Sequence, residues 1–230
     1  MSAPHFARPT RALALLATSA LLTTGCFVLE PFSAARDSDP TVQLRTSETG
    51  ELGVSTDYGV VFLGRDQKSG EVEFSAWFGD GPSLETGIVE ALGDGLFVTR
   101  AEIVLPIVPI RFDARPAPGD QVVVRGRRGA ESYRIDARVA SDPSVDGILL
   151  RANSALDALS SDQHGAGVYV RVDGALQLVG LVTGSLRLGS RDDERAYYTV
   201  LGPDVLWRLV AHRRDADQPR RVPQRGDVTL

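Results

Sequence analysis

Gln163-His164-Gly165-Ala166-Gly167-Val168-Tyr169 is a glycine-punctuated loop that runs straight into a strand, and its reading decides the fold of the chain. The strand continues through Val170-Arg171-Val172, stops at the turn pair Asp173-Gly174, and resumes as the apolar run Leu176 to Val182. Branched and aromatic residues on both sides of a two-residue Asp-Gly turn predict a β-hairpin, with the loop in front of it.

Outward from this hairpin the pattern is β almost throughout. Residues 59–63, 72–78, 86–89, 96–99, 107–110, 121–124, 133–139, 147–150 and 196–200 are short, rich in branched or aromatic residues, and often alternate. Turn signals such as Gly93-Asp94-Gly95 separate them. With 168–172 and 176–182 they make eleven predicted strands, closely spaced, which means a sandwich or a barrel. One helix is predicted near the end. Pro203 suits a first turn, Asp204 suits the positive helix start, Val205, Leu206, Leu209 and Val210 form an apolar stripe, and Arg213 and Arg214 stand at the negative end.

At 230 residues, 43% hydrophobic and 24% charged, the chain has material for one domain of moderate size with a well-buried core. The sole cysteine, Cys26, excludes a disulfide framework, a CxxC redox pair and a cysteine-based zinc site. The net charge of −5 becomes −7 once the first 25 residues, with two arginines and no acids, are set aside. Such a surface has no electrostatic claim on nucleic acid.

Those first residues read as a secretory signal. Arg8 and Arg11 supply the basic region, Ala12 to Leu22 is apolar apart from Thr18 and Ser19 and too short to span a membrane, and Thr23-Thr24-Gly25 precedes Cys26. Ending on Gly25-Cys26, the segment resembles a bacterial lipoprotein signal, although Thr23 stands where that pattern usually has leucine. The resemblance implies that Cys26 carries the lipid anchor, and Phe27, not being aspartate, implies outer-membrane sorting. Residues 26–53, rich in Ser, Thr, Asp and Pro, read as a flexible tether, 54–212 as the folded domain, and 213–230 as a disordered tail.

Three segments resemble, in order, parts of the trypsin-like serine peptidases. Asp94-Gly95-Leu96-Phe97-Val98-Thr99-Arg100-Ala101-Glu102 is similar to the strand that ends in Thr-Ala-Ala-His. Asp142 to Arg151 is similar to the segment in which the catalytic aspartate precedes Leu-Ala-Leu-Leu. Asp162-Gln163-His164-Gly165-Ala166-Gly167-Val168, with the hairpin and Leu178 to Gly184 behind it, is similar to Gly-Asp-Ser-Gly-Gly-Pro-Val and the strand lining the substrate cleft. The resemblance implies two packed antiparallel β-barrels closed by a C-terminal helix.

It also implies a broken active site. The serine mechanism needs a hydroxyl nucleophile, an imidazole to take its proton, and a carboxylate to hold that imidazole. The corresponding positions here are His164, Glu102 and Asp146, so only the carboxylate remains. His164 is the one histidine within the body, since His5 falls in the signal and His212 at the helix end or in the tail. Asp162 replaces the glycine that lends its N–H to the oxyanion hole, where a carboxylate opposes the developing charge. Thr183, Gly184 and Ser185 follow the cleft strand and are candidate contacts for a bound peptide.

The expected function is therefore a non-catalytic, lipid-anchored envelope protein that binds peptide or protein partners, with no cofactor. Two other readings stay open: a hydrolase with altered chemistry, and a weak divalent-metal site built from Glu102, Asp146 and His164.

Overall fold

The computed structural model describes residues 39–45, 50–64, 70–78, 81–100, 105–128, 131–142, 147–153, 163–188 and 195–217. They contain twelve strands: β1 (Thr41–Arg45), β2 (Gly50–Thr56), β3 (Gly59–Leu63), β4 (Gly70–Phe78), β5 (Gly81–Gly93), β6 (Leu96–Thr99), β7 (Gln121–Arg128), β8 (Glu131–Ala140), β9 (Ile148–Ala152), β10 (Gly167–Val172), β11 (Ala175–Leu188) and β12 (Arg195–Leu201). Two short helices follow, α1 (Pro203–Leu206) and α2 (Arg208–Asp217).

The strands form two closed antiparallel barrels, ordered β1-β2-β3-β6-β5-β4 and β10-β11-β12-β9-β8-β7. The second, read from β7, repeats the connectivity of the first. Pairing of β1 with β4 (Leu44 opposite Phe74) closes one barrel, and pairing of β10 with β7 (Val168 opposite Val124) closes the other. Closure leaves neither sheet with a long free edge around its circumference. Two tight hairpins fix the register. Asp94 and Gly95 (φ 53° and 73°) join β5 to β6, while Asp173 and Gly174 (φ 50° and 82°) join β10 to β11. Both central residues lie in the left-handed region, as the mirror-image turn that matches strand twist requires.

The cores explain why so many strands read as unbroken apolar runs. In β3, Val60 and Phe62 point into the first barrel with Val42, Leu44 and Val72, and Phe62 stacks on Phe97 at 5.5 Å. The alternate residues Val61 and Leu63 point outward and are just as buried. They meet Leu96, Val98, Leu178, Leu181 and Leu201 in a seam between the barrels. A strand buried on both faces loses its alternation. The second barrel has its own core around Val124, Ile135, Leu150, Val168 and Tyr198, which Leu52 of β2 joins from the first barrel.

The helices close the seam, Leu206 and Leu209 being 0% and 1% exposed there, while Val205 and Val210 of the predicted stripe are only half-buried. Pro203 occupies the first turn, and Trp207 separates α1 from α2. Arg208 anchors the helices to the first barrel by donating to the Leu92 carbonyl (3.1 Å) and to the Asp94 carboxylate.

Three expectations are corrected. The domain does not begin at residue 54: β1 and β2 lie within the stretch read as tether, and Val42, Leu44, Leu52 and Val54 are all buried. Residues 107–110 form no strand, because Pro106 and Pro109 cannot donate to a ladder. This connector instead straps the barrels together through isolated bonds, Val108 N–H to Ser55 O (3.1 Å), Leu178 N–H to Pro109 O (2.9 Å) and Arg111 N–H to Leu178 O (2.8 Å). Finally, α2 runs to Asp217, past residue 213 where the disordered tail was expected to begin. Cys26 and residues 1–25, the expected signal, lie outside the described residues.

Candidate functional site

The loop in front of β10 sits where the two barrels meet. Ala166 N–H donates to Gln163 O (2.9 Å), which tightens the turn around His164. Gly165 N–H then donates to Val182 O (2.8 Å) and Val182 N–H to Ala166 O (2.9 Å), so β11 of the second barrel grips the loop from one side. From the other side comes β2 of the first barrel: a Cβ on Gly165 would lie 2.3 Å from the Leu52 carbonyl oxygen. Gly165 also has φ +83°, so glycine is needed here both for conformation and for room. The backbone carrying His164 is thereby clamped between barrels, with the imidazole half-buried.

Gly167 has a different reason. Its missing side chain leaves space for the Tyr169 ring to fold back over it, a Cβ there lying 2.3 Å from the tyrosine oxygen. Tyr169 is 0% exposed, and its hydroxyl has no hydrogen-bond partner of good geometry. Burial, reinforced by the Asp39 charge and partly opposed by Arg125 and Thr41, pushes its ionisation far above the ordinary tyrosine range. This tyrosine is a neutral wedge in the seam at physiological pH. Gln163, 6% exposed, likewise leaves its Oε1 without a hydrogen-bond partner among the described residues.

Beyond the loop, β11 changes partners. It pairs with β10 from Ala175 to Leu181 and with β12 from Leu181 to Leu188, with a bulge between Val182 and Gly184. Thr183, at the bulge, donates its hydroxyl to Thr199 Oγ1 (2.8 Å). Among the described residues, no strand pairs with the side of Thr183–Leu188 that faces away from β12. That side of the strand continues from the point where Val182 holds the His164 loop. Thr183 and Ser185 are exposed and Gly184 is half-buried.

Of the residues singled out from the sequence, His164, Thr183, Gly184 and Ser185 thus fall on one contiguous strip. Glu102, Asp146 and Asp162 lie outside the described residues. Among the described residues no group of three or more His, Cys, Asp or Glu side chains could hold a metal. His212 belongs to α2, its Nε2 3.2 Å from Glu90 Oε2 on the first barrel. Two features were missed in the sequence: the change of partner along β11, which depends on pairing, and the buried tyrosine.

Neither a family model nor a curated protein sequence matches the chain. Solved structures do. The serine endoprotease from Yersinia pestis aligns with a TM-score of 0.51 at 16% identity, over 79% of this chain and 65% of that one, so this chain spans just under two thirds of its length. The Rv3671c protease of M. tuberculosis in an inactive form aligns with TM-scores of 0.49 at 19% identity in two structures, over 84% and 75% of this chain and 94% and 88% of those. The likeness at such identity is one of architecture. Two six-stranded barrels and a C-terminal helix are the fold of the trypsin-like serine proteases, as the sequence resemblance implied.

Proposed function

We propose that the chain is a non-catalytic trypsin-like protein of the bacterial cell envelope, anchored by lipid on Cys26 in the outer membrane, which binds an extended peptide segment of a partner. The observation that carries the reading is the loop itself. In a trypsin-like fold, the glycine-bound turn beside the barrel junction is where a hydroxyl nucleophile is needed, and this chain offers His164 there. Glu102 at the base position and Asp162 at the oxyanion position point the same way on sequence grounds.

A binding role keeps what the fold still provides. An extended segment laid against β11 on the side away from β12 gains main-chain hydrogen bonds around Thr183 and Ser185, and side-chain selection from the groups near them. Because main-chain bonding carries little sequence information, specificity falls to neighbours such as His164.

The test is reactivity. The purified chain should remain unlabelled by a fluorophosphonate probe under conditions that label an active serine peptidase completely. Labelling that disappears on replacing a single serine would overturn the reading and make the protein a hydrolase.

A further inference from the structure

We propose that a hollow beneath α2 on the first barrel, well separated in sequence from the β11 edge, is a binding site for a small oxyanion, a carboxylate or phosphate group. The hollow has a volume of about 330 Å³. That is the small end of ligand pockets, suited to one compact molecule.

Three elements build it, each fixed by packing. The first is the turn between β2 and β3. Thr56 Oγ1 donates to Gly59 O (2.8 Å) and accepts from Tyr58 N–H (3.1 Å), which holds the turn rigid. Gly59, at φ +120°, lies so close to β6 that a Cβ would stand 2.6 Å from Thr99 O. This approach brings the turn against the second element, Arg100, the residue that leaves β6. The third is α2. Its Leu209 is buried in the seam and forms part of the lining, so the residues three and four places on, His212 and Arg213, share that face.

The charges in this space favour an anion. Two guanidinium groups stand against one carboxylate, Asp57, in the lining, with the His212 imidazole beside them. Glu90 engages the imidazole from outside at 3.2 Å. Arg213 is oriented by the Tyr58 ring, its guanidinium carbon 5.3 Å from the ring centre. Tyr58 is braced edge-on by Phe112 (5.6 Å), and Phe112 by Trp207 (5.5 Å). Arg100 is exposed and has no ion partner among the described residues. In a chain of net charge −5, two arginines converging on one small hollow run against the overall balance. The planar guanidinium fork matches carboxylate and phosphate oxygens in pairs, and the tyrosine face offers a flat wall for whatever carries them.

Titration calorimetry of the full chain with inorganic phosphate and, separately, with benzoate, at constant ionic strength, tests the site. Saturable binding of at least one probe is expected, with affinity about tenfold weaker in Arg100→Gln and in Arg213→Gln. Arg45→Gln, on an exposed arginine of β1 with Glu73 for a neighbour, should bind as the parent does. The stronger of the two probes identifies the ligand group. Because Arg213 also packs on Tyr58, Arg100→Gln carries the decision should the helix variant unfold. Absence of saturable binding by both probes, or equal weakening in Arg45→Gln, would overturn the proposal. Neither outcome touches the peptide reading of β11.

Discussion

Asp39 and Arg127 lock the two barrels together: Arg127 Nη2 lies 3.1 Å from Asp39 Oδ2, at the point where the chain enters β1. Their side chains are 18% and 6% exposed. The carboxylate also accepts the Thr41 N–H (3.0 Å) and the Ser132 hydroxyl, and Arg127 donates to Ser132 Oγ (3.2 Å). β1 belongs to the first barrel and Arg127 and Ser132 to the second, so one carboxylate spans the junction.

Removing one member of such a pair leaves the other buried charge poorly compensated. Asp39→Ala should cost about 3 kcal/mol in urea unfolding, because Arg127 keeps its desolvation and loses its carboxylate contact with Asp39. Asp39→Ala with Arg127→Met should recover most of that loss, since the pair's attraction and its desolvation largely cancel. A double variant no more stable than Asp39→Ala would show that the pair is a net stabiliser.

Tyr169 gives a prediction in pH. Its folded-state ionisation lies far above that of the unfolded chain, which titrates near pH 10. The unfolded state therefore releases a proton that the folded state retains, and stability falls as pH rises past about 10. In Tyr169→Phe this pH dependence is absent, and the lost hydroxyl gives up only its approach to the Thr41 side chain, which falls short of good hydrogen-bond geometry. Urea unfolding at pH 8 should show the variant at least as stable as the parent. From pH 9.5 to 11 the parent should lose stability more steeply than the variant, and parallel slopes would refute the assignment.

The hairpin from 168 to 182 was legible because its turn pair and flanking runs are local signals. β1 and β2 were not. Val42 and Leu44 alternate into the first barrel, and Leu52 and Val54 toward the second barrel and the seam, but Ser, Thr, Asp and Pro around them dilute the pattern below what composition registers. The connector at 107–110 failed for the opposite reason, its branched residues outweighing Pro106 and Pro109. At the site, Gly165 could be read as a turn glycine. Its contact with the Leu52 carbonyl, which ties the loop to the other barrel, is a long-range fact that no local pattern carries.

Two glycines of the strip should respond in opposite ways. Gly165→Ala drives a methyl into the Leu52 carbonyl at a positive φ, and should cost about 2 kcal/mol or more in unfolding free energy. In Gly184→Val the added Cβ meets only Thr199 Oγ1, at 3.6 Å, an ordinary contact, and β-branched residues suit strands. That variant should unfold within about 0.5 kcal/mol of the parent. Should it also lose peptide binding while remaining folded, the loss would locate the peptide at the β11 edge.

Chemistry at the loop can be probed by rebuilding it. His164→Ser alone restores a hydroxyl but no base, because His212, the other histidine among the described residues, is held by Glu90 on the outside of the first barrel. This variant should stay inert to fluorophosphonate. Adding Glu102→His supplies an imidazole at the position the resemblance assigns to the base, with Asp146 to orient it, and slow labelling of the introduced hydroxyl is expected. It should remain well below that of an active peptidase, since Asp162 stands at the position the resemblance assigns to the oxyanion-hole glycine, and a third change, Asp162→Gly, should raise it. Labelling of His164→Ser by itself would mean that a base exists which the reading of Glu102 overlooks.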